Sequence, residues 1–392
     1  MEVADILHAQ GDRFLDRYRN SFSYQQLKAF RAIANCRTQA LGGHLDACPQ
    51  CGQKRCDRPP AISYNSCRNR HCPKCQTQAR ERWLAAREQE LLPTSYFHVV
   101  FTVPHELNVL ALENARLFYE LLFTASAATA IQVARDPRHL GAEIGMLSIL
   151  HTWGQNLLLH PHIHCVIPKG GLSPQGARWI HSPYPFFLPA KVLSRVFRGK
   201  FLAGLKRLYR RKQLCCGGPA SLLRDPKQFA LLLRRLHRHD WVVYAKPALG
   251  DPSQVLRYLG RYTHRVAISN HRLRSLENGR VSFDWKDYAD RSRTKTMTLD
   301  AVEFIRRFLL HVLPSGMVRI RQFGFLANRV RQPKLEQCRA LIAAQLPPSS
   351  AGPDGSLDPT LPDPRACPVC MRGKLIVIEL LAAQPAAIQD TS

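Results

Sequence analysis

Leu159-His160-Pro161-His162-Ile163-His164-Cys165-Val166-Ile167 places a histidine at every second position of an apolar run that closes at Lys169-Gly170-Gly171. Alternation at period two marks a strand, and on a strand His160, His162 and His164 share one face. Two imidazoles so placed can hold a divalent ion and leave positions open for a phosphate oxygen, which the ion would polarise. By count the pattern is weak: sixteen histidines in 392 residues give roughly 0.65 His-x-His pairs by chance. The chain has a second such pair, His237-Arg238-His239, which lies in a basic helical stretch and reads as solvated surface. The pair at 162 and 164 differs because its strand is apolar, where an imidazole without an ion needs another partner.

Working outward, Met146–Leu150 reads as the preceding strand and Tyr96–Val103, stopped by Pro104, as another. Residues 1–35 carry helical periodicity with Asn35 as a stop, and 106–135, 189–240 and 300–312 also read as helices. TQARERWLAAREQELL predicts a helix charged on one face. Trp241–Ala245, RVAIS, RVSFDW and KTMTL predict strands, and a helix is expected to start near Asp251-Pro252. Helices and strands are thus mixed along the chain.

The charge narrows the partner. Fifty-six Lys and Arg against 29 Asp and Glu leave +27, and such an excess points to a polyanion, nucleic acid first. A membrane partner finds no support. No uncharged apolar run of bilayer length occurs; the best stretch, Leu117–Ala134, contains Glu120 and reads as a buried helix. The N-terminus lacks a signal-peptide core, so a cytoplasmic protein is expected.

Thirteen cysteines in such a chain argue for metal rather than disulfides. Cys48-x2-Cys51, then 20 residues, then Cys72-x2-Cys75 approximates zinc-ribbon spacing. The expected structural zinc ligands are therefore Cys48, Cys51, Cys72 and Cys75, with Cys67 and His71 as alternatives and Cys56 and His44 also within reach. The basic loop around them offers Arg68 and Arg70 to DNA phosphates. Residues 346–365 read as an acidic linker, beyond which Cys367 and Cys370 form a pair with no second knuckle nearby in sequence.

Tyr258 and Tyr262 lie four residues apart, where roughly 0.3 such pairs are expected by chance, and on a helix they share a face. Arg257, Arg261, His264 and Arg265 accompany them, which is unusual for a purely buried helix. Tyrosine is a weak nucleophile unless its target is activated, and a metal-bound phosphate is so activated.

With these elements in order, the chain resembles the rolling-circle transposases of the insertion-sequence-ninety-one family, the two-tyrosine branch of the HUH endonucleases. The resemblance runs through SCRNRHCPKCQ, YFHVVFTVPHEL, HPHIHCVIPKGG, FFLPAKVLSRVFRGKFL, YLGRYTHRVAISNHRL, FDWKDY and RIRQFGFLANR. It implies an α+β fold, a central antiparallel sheet flanked by helices and preceded by a small zinc-binding module, with His162 and His164 as ligands of a catalytic magnesium or manganese on a middle strand. It implies Tyr258 and Tyr262 as paired nucleophiles on a facing helix, with Arg257 and Arg261 beside them as DNA contacts. The third ligand is expected among His151, Gln155 and His160, His151 first, because superfamily members often carry it on the preceding strand. Lys169 departs from the family's glycine in the turn after the histidine strand.

The implied layout is a helical lead and zinc module over 1–92, a catalytic domain over 93–345, and a linker with a CxxC tail over 346–392. The implied activity is cleavage of single-stranded DNA at element ends through 5′-phosphotyrosine links, followed by rejoining to target DNA. A replication initiator or relaxase would share this chemistry. A non-catalytic zinc-ribbon DNA-binding protein would explain the charge and the cysteines, but not the histidine strand or the tyrosine pair.

Overall fold

The computed structural model describes residues 1–50, 61–183, 187–246, 260, 267–288, 290–345, 365–367 and 369–384. Helix α1 (Val3–Tyr18) buries Ile6, Leu7 and Phe14 at helical spacing. Helix α2 (Tyr24–Ala34) begins at a capping box, Ser23 accepting from the Gln26 N–H while the Gln26 side chain reaches back to Ser23 N, and ends at Asn35. Strands β1 (Gly43–Ala47) and β2 (Ala61–Tyr64) and helix α3 (Gln76–Glu88) follow.

Next come β3 (Tyr96–Thr102), α4 (Asn108–Glu113), α5 (Ala115–Arg135), β4 (Gly145–Trp153), β5 (Leu159–Pro168) and the short pair β6 (Gly170–Leu172) and β7 (Trp179–His181). They lead to α6 (Ala190–Arg210), α7 (Pro226–Arg238) and β8 (Val243–Lys246). The chain continues through β9 (Leu273–Glu277), β10 (Arg280–Asp287), β11 (Arg293–Asp300), α8 (Ala301–Leu310), β12 (Ile320–Gly324), α9 (Arg331–Ala343) and β13 (Ile376–Leu381). The protein is α+β.

The largest sheet has five strands in the order β12-β4-β5-β3-β8, with all pairings antiparallel. The histidine strand β5 is its middle strand. Period-two alternation sorts its residues onto two faces. Phe97, Val99, Phe101, Met146, Leu150, Ile163, Cys165 and Ile167 join the main core with Phe118 and Leu122 of α5 and Phe197 and Phe201 of α6. Among the described helices, α5 is the one long and apolar enough to cross a bilayer. It is instead packed against α6, β4 and β5, with Phe118, Leu122, Phe123 and Ala130 buried. On the other face, Tyr96, Leu147, Ile149 and Val166 pack with Trp83 of α3.

A second core joins the N-terminal helices to a distant part of the chain. Ile6, Phe14, Phe30 and Ile33 pack with Ile268, Val281, Phe283, Phe304, Ile305 and Phe308. The three-stranded sheet β11-β10-β9 lies within that region. Its β9–β10 turn is Asn278-Gly279, both at positive φ (50° and 71°), as a two-residue hairpin of this dipeptide requires. The expected strand over RVAIS is corrected: residues 267–269 are irregular, with Ala267 at φ 55°. Ala267 and Ile268 are apolar because they enter the second core, not because they pair in a sheet. The helical stretch over 189–240 holds α6 and α7, with Pro226 opening the second under an Asp225 cap. The helix expected from Asp251-Pro252 lies outside the described residues.

Candidate active site and thiol clusters

The register of the middle strands assembles the histidines. His151 on β4 stands directly opposite His162 on β5, and Val100 of β3 opposite His164. Because opposite residues share a face, His98, His151, His162 and His164 all project from the side away from α5 and α6. The ligand-capable nitrogens of His151, His162 and His164 lie within 4.8 Å of one another. The His151 ring is stacked on Trp153 at 4.6 Å and tilted against His164 at 4.3 Å.

The second nitrogens of His162 and His164 are held. His162 Nδ1 lies 2.6 Å from the His160 carbonyl; a carbonyl only accepts, so Nδ1 carries the proton and Nε2 presents its lone pair. His164 Nδ1 lies 2.8 Å from His98 Nε2, with the two rings parallel. The Nε2 atoms of His162 and His164 are 3.0 Å apart. Two imidazoles on one ion at about 2.1 Å each span that separation at roughly a right angle. Orienting partners of this kind are typical around metal-ligating histidines. Burial, reinforced by neighbouring imidazoles, drives His162 down to about 3 and His164 well below its ordinary value, so both are neutral and ligand-competent at neutral pH.

His98 is a residue that sequence reasoning missed. Its place in the alternating YFHVVFTV strand put it on a definite face, but nothing local told which strand that face would meet. The Gln155 amide nitrogen donates to Tyr288 Oη at 3.4 Å. His160 supplies its carbonyl to His162, and its ring packs 5.1 Å from that of His162. Lys169 causes no distortion, since its N–H continues the pairing to Ser95 O at 2.7 Å. The turn is made by Gly170, at φ 152°, where a Cβ would meet Ile180 O at 2.5 Å.

The catalytic candidates Tyr258 and Tyr262, with Arg257 and Arg261, lie outside the described residues. Gly260 between them is described and buried, and a Cβ there would meet Leu84 of α3 at 2.6 Å. The neighbouring α3 residue, Trp83, packs on the histidine-bearing face of the sheet.

The cysteines converge in a different grouping from the expected one. Cys72 and Cys75 meet Cys36 and Cys67, not Cys48. The contacts Cys36–Cys75, Cys67–Cys75 and Cys72–Cys36 measure 3.5, 3.6 and 3.6 Å between sulfurs. Four thiolates on a zinc at 2.3 Å stand about 3.8 Å apart, so the set fits one tetrahedral ion. Burial pushes the Cys36 thiol up to about 11, and a hydrogen bond donated to Cys67, followed by burial, raises Cys72 as well; a dication among them reverses that preference. Cys67 and Cys36 sulfurs also accept from the Asn69 and Cys67 N–H groups at 3.5 Å.

The reason for the regrouping is strand pairing. Cys48 follows β1, and β1 pairs with β13, which carries Cys48 to Cys367 and Cys370. Cys36 follows α2, and Arg37 N–H donates to Asn65 O at 3.1 Å, which draws residue 36 beside Cys67. Cys36 was missed because it belongs to no CxxC pair. Cys51 and Cys56 lie outside the described residues.

His71 is not in the thiol set. It is buried and accepts the Leu313 N–H on Nε2 at 3.1 Å. His44 pairs with Asp46 at 3.2 Å. Arg70 donates to Met317 O at 2.7 Å, so it docks the cysteine loop on the segment before β12; Arg68 is exposed.

Comparison with known proteins gives this arrangement its class. A family model described as "Putative transposase" matches residues 145–334, and one described as "Transposase zinc-binding domain" matches residues 6–103. The chain is 49% identical over its whole length to the "Putative transposase y4qJ" of Sinorhizobium fredii, covering 98% of that protein. It is 30% identical, over 71% of its length and 66% of the relative, to the transposase for insertion sequence element IS801 of Pseudomonas savastanoi. No solved structure matches the chain. The chain belongs to the insertion-sequence-ninety-one family of transposases and carries that family's zinc-binding domain.

Proposed function

We propose that this transposase cuts and rejoins single-stranded DNA at element ends by tyrosine attack, in rolling-circle fashion. The observation that carries the reading is the cluster of His151, His162 and His164, whose two β5 members have their second nitrogens held by the His160 carbonyl and by His98. Magnesium or manganese held by these three side chains would supply Lewis-acid polarisation of the scissile phosphate. Tyr258 or Tyr262 then attacks phosphorus through Oη, the bond to the 3′ oxygen breaks, and that oxygen leaves protonated as a free 3′-OH. The 5′-phosphotyrosine link keeps the energy of the broken phosphodiester, so no nucleotide is consumed. The second tyrosine accepts a second strand before the 3′-OH attacks the first link and reseals.

Arg68, Arg257 and Arg261 would contact phosphates, and Arg70 would fix the loop that presents Arg68. In this reading residues 93–345 hold the HUH-type catalytic domain, residues 1–92 the zinc module and residues 346–392 a linker and tail, and the protein works in the cytoplasm on nucleoid DNA.

The test is incubation with a single-stranded element end and magnesium or manganese. A covalent protein–DNA adduct is expected, and it should vanish in the Tyr258→Phe, Tyr262→Phe double variant. Absence of an adduct under every metal condition overturns the enzymatic reading.

A further inference from the structure

Cys48, Cys367 and Cys370 bring three thiols together across most of the chain. The Cys48 and Cys370 sulfurs are 3.8 Å apart, which is the edge of a tetrahedron of thiolates at about 2.3 Å from zinc. The turn that carries the C-terminal pair is built as a metal knuckle. Gly373 N–H donates to Cys370 Sγ at 3.3 Å. Cys367 N–H donates to Gly373 O at 2.7 Å, and Met371 N–H to Cys367 O at 3.0 Å, with Met371 at φ 53°. Backbone N–H groups aimed at sulfur stabilise a thiolate over a thiol. Gly373 also lies against Cys48: a Cβ there would sit 2.4 Å from its Sγ.

A second observation concerns β13. The strand pairs with β1 along Gly43–Ala47, so it completes the three-stranded sheet β13-β1-β2. Yet Ile376, Val377, Ile378 and Leu380 are all about half exposed or more, Leu380 at 80%. Burial of apolar surface is the usual force that fixes an added strand, and here little of it is available. Something else must hold the C-terminal strand in place.

We propose that Cys48, Cys367 and Cys370 form a second thiolate site for a zinc-class dication, distinct from the Cys36, Cys67, Cys72 and Cys75 set, and that this ion clamps the C-terminal strand onto the N-terminal module. Neither matched family region reaches Cys367 or Cys370. Thiolate sulfur selects zinc over the hard cations of the histidine site. Among the described residues three thiols supply three of the four positions such an ion takes, and water or a further thiolate would supply the fourth. The site does not depend on the nicking chemistry proposed above.

The test is metal stoichiometry of the purified full-length protein by elemental analysis and native mass spectrometry. Two zinc ions per chain are expected, and one in the Cys367→Ser, Cys370→Ser double variant. Gly373→Val keeps every cysteine but intrudes on Cys48, so it should also lose one ion; this guards against a trivial effect of removing thiols. In both variants, amide exchange over 376–381 should accelerate about tenfold or more relative to the native protein, while exchange in β3–β5 stays unchanged. Equal zinc content in the native protein and the double variant, whether one or two ions, overturns the proposal. So does loss of an ion with no change in exchange over 376–381, as far as the clamp is concerned.

Discussion

The two faces of the five-stranded sheet are made by alternate residues of the same strands, and they differ in what they bury. On one face Phe101, Ile163 and Cys165 are sealed under α5 and α6. On the other, one residue along each strand, stand His98, His151, His162 and His164. The apolar face needs only volume and shape, and many substitutions of equal size would serve it. The histidine face needs named atoms in named tautomers. The difference teaches that the apolar face supplies rigidity for the other, because a strand locked from behind fixes where its alternate side chains point.

Four measurements sharpen or break that contrast. His162→Ala should reduce covalent adduct formation to background while thermal stability stays near that of the native protein; a large fall in stability would mean that the histidine face is structural. Phe101→Ala should do the reverse, costing about 3–5 kcal/mol of unfolding free energy through the cavity left against Phe197, as read by denaturant titration. Residual protein folded at low temperature should still bind a divalent ion. His98→Ala should lower metal affinity or nicking about 10- to 100-fold, the usual effect of removing a partner that orients a metal-ligating histidine, with excess metal restoring part of the activity. Full activity in that variant would sink the positioning role of His98.

The most gradual effect is expected from pH. His311 lies behind the site, Nε2 donating to Leu157 O at 3.0 Å and Nδ1 within 3.1 Å of Thr152 Oγ1. Burial lowers it to about 4, below its ordinary value near 6.5. Between these values the unfolded chain takes up a proton that the folded chain refuses, so stability is lost as pH falls from 6.5 toward 4. The slope for one such group is about 1.4 kcal/mol per pH unit. A His311→Asn variant should therefore show a shallower decline of melting temperature over that interval than the native protein; an unchanged slope would assign the titration to other groups.

Much of the sheet could be read along the chain because each strand advertises its own period. β3, β4 and β5 fall where the alternation predicted them, and β10 and β11 where RVSFDW and KTMTL stand. The β9 strand was passed over although Asn278-Gly279 marks its hairpin; LRSLE is too polar for the alternation to be noticed. RVAIS was mistaken for a strand because burial in a coil and burial in a sheet leave the same apolar composition. In the thiol clusters, CxxC spacing points to the right loop but sets Cys72 and Cys75 beside Cys48, where the fold brings them to Cys36 and Cys67. Adjacent cysteines constrain a turn but say nothing about the strand that will deliver the remaining ligands.

By itself the sequence determined the local facts: the shared face of His162 and His164, the stop of the N-terminal helices at Asn35, and an excess of positive charge suited to DNA. Each follows from spacing within a few residues, where bond geometry leaves little freedom. Only the tertiary structure decided that His151 and His98 join that face, that Cys36 completes one thiol set, and that Cys48 meets Cys367 and Cys370. Those meetings depend on the register of antiparallel pairs and on the closure of loops tens to hundreds of residues long. A register shift of one residue would turn every such side chain to the opposite face, and it is fixed by the packing of the whole core, which no single motif contains.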